Sequence, residues 1–446
     1  MNSVSRLVSV VVFSACTTAQ VEAQALRVGA AVATLESTDD LVIAGGILPG
    51  KAVGQEGELR ASAVVVQGTN GAKACLISCD VLMVARDVLD RAAKAIEART
   101  GIPFDAILIS CTHTHHAPST VTIHGYERDE TFTAHLEQKI VEAAVAANAR
   151  IEPSTLSFRM GEESAVGRNS RLYLGDGTIF WIGPHDDAVR PTGPFDPQLP
   201  VLAFRSSEGK LQTVLFNHST HTIGTHRPGV RSPSFYGLAA QELEGEHGGT
   251  FVFLEGASGS THNLDLRAQE ATVRIKKAIN RALQQATPIA EVPVRALRSE
   301  LPYFVRTFDE AREDAAVATY CRRRVDPVNA ERIVEVFRKM RAGLAPEQGR
   351  IRKTWVQAIA LGEIAIVGVP AEYFTGLGQE IKARSPFRHT IVVELANDYI
   401  GYVPDDRGYD LGGYQVWTGF HSLVARGTGE SIVREVVDLL HRLDTP

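Results

Sequence analysis

Residues 107–118 read Ile-Leu-Ile-Ser-Cys-Thr-His-Thr-His-His-Ala-Pro, an apolar run that ends in three histidines and is closed by Pro118. A short Ile/Leu run bounded by proline is the pattern of a buried strand opening into a loop. Side chains two apart on a strand share a face, so His113 and His115 are expected to project together. Paired imidazoles at a strand end suit a divalent metal, usually zinc, or a metal beside a proton-accepting base. The same spacing also occurs in plain surface histidine clusters, so the motif needs support from elsewhere in the chain.

At 446 residues and 44% hydrophobic content, the chain has the means to bury a large core. The net charge of −6 is ordinary, and no basic stretch has the footprint of a nucleic-acid binder. Strand and helix patterns alternate. Residues 61–67 and 74–79 read as a hairpin across Gly68-Thr69-Asn70-Gly71, and 87–100 reads as a helix stopped by Gly101-Ile102-Pro103. A second helix is expected over 130–147, strands over 202–205, 214–217 and 251–254, and a helix over 266–286. Residues 161–200, rich in Gly, Pro and Asp, read as a long loop region near a site. The charged segment 309–342 reads as a solvated helical cap or helix pair, 356–361 and 364–369 as a hairpin, and 430–443 as the last helix. The expected fold is α/β, with mixed sheets and flanking helices in a single catalytic domain over 26–446.

Residues 1–25 have the pattern of an export signal: Arg6, an apolar stretch over 7–15, and the small-x-small site Ala23-Gln24-Ala25. The expectation is therefore a secreted or periplasmic protein. The alternative is a lipoprotein anchored through Cys16, since Phe13-Ser14-Ala15-Cys16 approximates a lipobox. Four further cysteines follow, Cys75, Cys79, Cys111 and Cys321. Cys75 and Cys79 lie about 13 Å apart on one expected strand, too far for a disulfide. All four read as small buried hydrophobes, with Cys111 also open to reading as a third ligand of a Cys-x-His-x-His set.

Three other segments repeat the pattern of an apolar run ending in polar groups. They are Phe216-Asn217-His218-Ser219-Thr220-His221-Thr222, then Val367-Gly368-Val369-Pro370-Ala371-Glu372, then Asn397-Asp398-Tyr399-Ile400-Gly401-Tyr402 running on to Gly413-Tyr414. Strand ends gathered on one side of a sheet are where α/β enzymes place ligands. A Gly-rich turn, Glu255-Gly-Ala-Ser-Gly-Ser-Thr-His-Asn263, follows another apolar run and lets backbone approach a ligand closely.

Taken together and in order, these segments resemble the catalytic domain of the neutral (non-lysosomal) ceramidase family, over about residues 26–446. The family's Thr-His-Thr-His segment is matched by Thr112 to His115, its second histidine by His221, its Pro-Gly-Glu by Pro370-Ala371-Glu372, and its Asn-x-Tyr-x-x-Tyr by Asn397 to Tyr402. The resemblance implies zinc (Zn2+) held by His113, His221, Glu372 and Tyr402. It implies His115 and Tyr414 acting on the scissile carbonyl, and an arginine at 168 or 171 polarising the substrate, with Arg171 preferred. The implied activity is hydrolysis of an amide bond, N-acylsphingosine to fatty acid plus sphingoid base; with no serine at the family's position, metal-activated water is the expected nucleophile and His115 or His262 the expected general acid–base.

This sequence departs from the family pattern in three places. Gly259-Ser260-Thr261-His262-Asn263 stands where the family has Gly-Asp-x-Ser-Pro-Asn, so His262 replaces a serine; it reads as a catalytic group, an extra ligand or a turn residue. Ser232 to Ala239 loses an acid of a second motif. The chain is also expected to lack the family's C-terminal sandwich domain. These changes leave two rival readings open: a zinc hydrolase of a non-lipid amide, ester or glycan-derived substrate, or a non-catalytic binding protein on the same fold. The expected partner is a lipid or other small-molecule substrate, with peripheral membrane contact and without a protein partner.

Overall fold

The computed structural model describes residues 25–445. Arg6, the 7–15 stretch and Cys16 of the expected export signal lie outside the described residues. Three sheets organise the chain. The first runs Ile107–Cys111, Lys73–Cys79, Arg60–Gln67, Arg27–Thr34, with Glu152–Pro153 at its edge. Lys73–Cys79 and Ile107–Cys111 pair in parallel. A parallel connection needs a crossover, and helix Arg86–Thr100 supplies it, burying the stripe Val88, Leu89, Ala92, Ala93 and Ile96. The helix ends where Gly101, at φ 71, takes the left-handed cap position. Helix Glu130–Ala149 starts at Asp129, whose side chain accepts from the Phe132 amide.

The second sheet runs Thr250–Glu255, Leu211–His218, Gln198–Arg205, Thr155–Glu162, Thr287–Ile289. Its period-two alternation serves two cores. Leu202, Phe204, Leu215, Val252 and Leu254 share one core with the first sheet. Their neighbours Val201, Ala203, Val214, Phe216, Phe251 and Phe253 pack with helices Ser234–His247 and Ala268–Gln285. The third sheet, Val294–Phe304, Ile351–Leu361, Ile364–Gly368, His389–Val393, works the same way. Ile364 and Ile366 face the first core, whereas Ala365 and Val367 join a core built with the C-terminal helix Thr428–Asp444. Burying one such Ile or Val contributes roughly 1.5–3 kcal/mol, so sheets occupied on both faces are held in fixed relative positions.

Each sheet contains one parallel pair, the other two being Leu211–His218 with Thr250–Glu255 and Ile364–Gly368 with His389–Val393. Parallel neighbours end on the same side, and the loops leaving those ends carry the histidine, glycine-rich, glutamate and tyrosine motifs. Segment 161–200 is less of a loop than its composition suggests. It holds Arg168–Asn169, Leu172–Leu174 and Ala188–Pro191, and Gln198–Arg205 begins inside it. Strands of two to four residues are too short to leave a periodic signal among turn residues. The four cysteines are free and buried, and burial pushes the Cys75 thiol up to about 12.

The glycine-rich turn passes directly under the Glu372 backbone. A Cβ at Gly259 would lie 2.4 Å from the Glu372 carbonyl oxygen. Gly259→Ala is therefore expected to destabilise by roughly 1–3 kcal/mol through overpacking, read as a lower denaturant midpoint. Gly245→Ala, an exposed helical position with nothing within 4 Å of the added carbon, should stabilise by about 0.5–1 kcal/mol. Equal effects of the two substitutions would contradict this packing.

Candidate metal centre

The histidine strand stops at Cys111, and His113 then adopts φ 59. The two histidines thus converge through a strained turn at the strand end rather than through the pleat of a strand. Their rings stand 4.8 Å apart and nearly perpendicular at 86°, with the His221 ring 4.5 Å from that of His113. Their ring nitrogens gather into a group able to hold a metal ion, His113, His115 and His221, with ligand atoms within 4.8 Å of one another. Cys111 is not part of this group; its side chain belongs to the core.

The tautomers follow from the hydrogen bonds. A backbone carbonyl only accepts, so each ring nitrogen facing one must carry the proton. His113 Nδ1 donates to Leu82 O at 3.0 Å, His115 Nδ1 to Gly45 O at 3.2 Å, and His221 Nδ1 to Ser258 O at 2.9 Å. In its neutral form each ring then turns its Nε2 lone pair into the same small space. The Nε2 atoms of His113 and His115 lie 3.3 Å apart, an arrangement that is repulsive unless a cation or proton shares the space. Glu372 Oε2 lies 3.3 Å from His113 Nε2 and 3.2 Å from His221 Nε2, and Tyr402 Oη is 3.0 Å from His221 Nε2. This donor set, imidazoles held by outer carbonyl partners plus a carboxylate, fits a zinc-type ion.

Electrostatics agree. Burial works to raise the Glu372 pKa, but His113 and His221 outweigh it and hold the carboxyl well below the usual range. Burial works to lower His113, and Glu372 overrides it, so His113 is raised. His221 and, more strongly, His115 are lowered by burial and then by neighbouring imidazoles. A carboxylate only 3% exposed needs compensating partners. Besides the histidines, the Tyr399 hydroxyl donates to Glu372 Oε1 at 2.9 Å.

Behind the histidine group lies a buried acid, Glu394, at the end of strand His389–Val393. It accepts from Ser258 Oγ at 2.6 Å, Ser258 N at 3.0 Å and Tyr373 N at 2.8 Å. Burial pushes it up to about 8. Glu394 thereby joins the turn that holds His221 to the backbone next to Glu372. Sequence reading missed Glu394 and the part played by Tyr399; a charged residue closing the apolar run Ile391-Val392-Val393 was the available signal.

Above the cluster opens a cavity of about 710 Å³, with His115, His221, His262, Tyr402 and Tyr414 in its wall. Ile47, Leu48, Phe180, Trp181, Ile182 and Ile333 give it an apolar side. The junction of helices Glu310–Arg324 and Pro327–Leu344 contributes Val325, Asp326 and Asn329, so the charged helix pair is more than a solvated cap. Tyr414 lies between Trp181, stacked at 4.6 Å and 4°, and His421, at 4.8 Å, while its hydroxyl meets His124 Nε2 at 3.1 Å. His262 is stacked 6.1 Å from His221, and its Nδ1 accepts from the Leu264 amide at 2.7 Å. Arg171 does not form part of this wall. Its buried guanidinium donates to Gln415 Oε1 and to the Gly408 and Gly412 carbonyls, bracing the loop that carries Tyr414. Arg168 is exposed and pairs with Asp265.

No family model matches this sequence, and no curated protein matches it. Solved structures do. The crystal structure of neutral ceramidase from Pseudomonas aeruginosa superposes with a TM-score of 0.71 at 18% identity, over 95% of this chain and 75% of that one. A ceramidase complexed with C2 gives 0.70 at 18% identity, over 95% and 76%. The class defined is thus a mixed α/β fold with a metal-capable histidine group beneath a cavity. Its particular form is the neutral ceramidase fold.

Removing the Tyr399 hydroxyl leaves Glu372 without its phenolic donor. Tyr399→Phe is expected to weaken metal affinity roughly 10–100-fold, measured by competition with a chromogenic chelator. Unchanged affinity would show that Glu372 is oriented without it.

Proposed function

We propose that this chain is a zinc-dependent amide hydrolase of ceramidase type, cleaving N-acylsphingosine-like substrates to a fatty acid and a sphingoid base. The observation that carries this reading is the convergence of His113, His221, Glu372 and Tyr402 beneath an apolar-sided cavity, supported by the shared fold. Those four residues would hold the metal. When bound, zinc supplies Lewis acidity toward a carbonyl and acidifies water.

The remaining work falls to side chains of the chain itself. His115, neutral and with its proton held on Nδ1 by Gly45, offers Nε2 as the proton acceptor for attacking water. Tyr414, gripped between two rings, offers a hydroxyl to the oxygen that gains charge. Arg171 acts as a positioning residue for that tyrosine. The apolar side of the cavity accommodates acyl chain and excludes water. A second reading, a polar amide or ester substrate, is favoured by His185, Asp265, Asp326 and Asn329 on the cavity wall. The N-terminal pattern supports export, and no helix among the described residues is long and apolar enough to cross a membrane.

Metal analysis of the purified protein, paired with fatty-acid release from a short-chain fluorescent ceramide, tests the proposal. About one zinc per chain with chelator-sensitive release is expected. His113→Ala should lose both metal and turnover. Full zinc and full turnover in that variant would refute the ligand assignment, and zinc without release from any ceramide would remove the lipid substrate.

His115→Gln should retain zinc while kcat falls roughly 10²–10⁴-fold, the usual range for loss of a general base. Loss of zinc in this variant would instead make His115 a ligand.

A further inference from the structure

We propose that His262 is a substrate-facing hydrogen-bond donor that grips the scissile carbonyl oxygen as it becomes an oxyanion, and that it does so as a neutral imidazole. The assignment deepens the amide-hydrolase reading and rests on it for the identity of the oxygen. Its basis is the proton position on the ring. The Leu264 backbone N–H is unambiguously a donor, and it points at His262 Nδ1 at 2.7 Å. Nδ1 therefore holds a lone pair, and the single proton of the neutral ring sits on Nε2.

Among the described residues the ring's one hydrogen bond is the one from Leu264, so Nε2–H has no protein acceptor there and sits on a ring in the cavity wall. The ring stands beside His221, the centroids 6.1 Å apart and the planes inclined by 27°. The bond from Leu264 depends on an unusual backbone: Leu264 lies at φ 46, a left-handed value that a leucine rarely adopts. A strained residue whose amide fixes the tautomer of a cavity histidine is an arrangement expected at working sites.

The contrast with His115 separates the roles. His115 has its proton on Nδ1 and a lone pair on Nε2, whereas His262 has them the other way round. With no lone pair left free, His262 is neither a metal ligand nor the general base. A neutral imidazole N–H is a poor proton source but a good fixed dipole, and neutral histidines polarise carbonyls in this manner in other enzymes. No proton leaves His262: the N–H···O bond shortens as charge builds on oxygen and relaxes when the carbonyl reforms.

Two substitutions separate this role from a purely structural one. His262→Asn keeps an acceptor near the Nδ1 position for Leu264 and deletes the Nε2 donor. His262→Gln places an N–H near Nε2 and gives up the Leu264 contact. The proposal expects Asn to lower kcat roughly 10²–10³-fold with little change in KM or zinc content, and Gln to retain more activity than Asn. The reverse order would overturn it, because a turn residue needs only the acceptor.

A second readout needs no turnover. Nitrogen NMR of ¹⁵N-histidine-labelled protein should show His262 as the Nε2–H tautomer, with that resonance shifting when a short alkylphosphonate, a tetrahedral oxyanion mimic, is added. An Nδ1–H tautomer, or an unmoved Nε2 resonance with phosphonate bound, overturns the proposal. A shifted resonance in a protein that cleaves no amide would sink the hydrolase reading and leave His262 as the oxyanion donor of another reaction.

Discussion

The hydrogen bonds that Leu82, Gly45 and Ser258 accept from His113, His115 and His221 decide the proton position on each ring, and the metal centre follows from that. With the outer nitrogens committed to carbonyls, the three Nε2 atoms are turned into one space a few ångströms across, where a metal and an attacking water would lie side by side. Without those carbonyls the rings would be free to flip or to take protons, and a buried cluster of histidines would become a source of positive repulsion. The carbonyls come from three different loops, so the tautomer pattern is a property of the assembled fold.

Glu394 is the second constraint. A carboxyl fully buried beside Glu255 is costly, and it is held because it accepts three hydrogen bonds that fix Ser258 and Tyr373. Through it, the second and third sheets meet behind the histidine group. The Glu372 carboxyl in front and the Glu394 carboxyl behind thus have opposite electrostatic fates. The first is held well below its ordinary pKa by imidazoles, and the second is raised by burial.

Much of this was readable from the chain. The apolar runs ending in Thr-His-Thr-His, His-Ser-Thr-His, Pro-Ala-Glu and Asn-x-Tyr-x-x-Tyr located the loops of the centre, because a strand followed by a sudden polar cluster leaves a sharp local signal. Less legible was how those loops turn. The left-handed backbone at His113 and Leu264 is set by tertiary packing, and nothing in Thr-His-Thr or Asn-Leu-Asp announces it. The resemblance put Arg171 at the substrate, whereas the folded chain uses its guanidinium to brace the 408–415 loop. A lone buried arginine gives no sign in sequence of which way its fork points. Trp181, stacked on Tyr414, and His124, at its hydroxyl, are far from it along the chain and lack a motif of their own.

The proposed ligand positions also bear on when a metal would enter the protein. Residues 113, 221, 372 and 402 are separated by 108, 151 and 30 positions, and they sit on loops that meet only after the sheets have docked. No partial chain therefore holds more than a fragment of the proposed ligand set. A metal held by these four residues would load last, from whatever compartment contains the finished fold, and its binding energy would then oppose separation of the sheets.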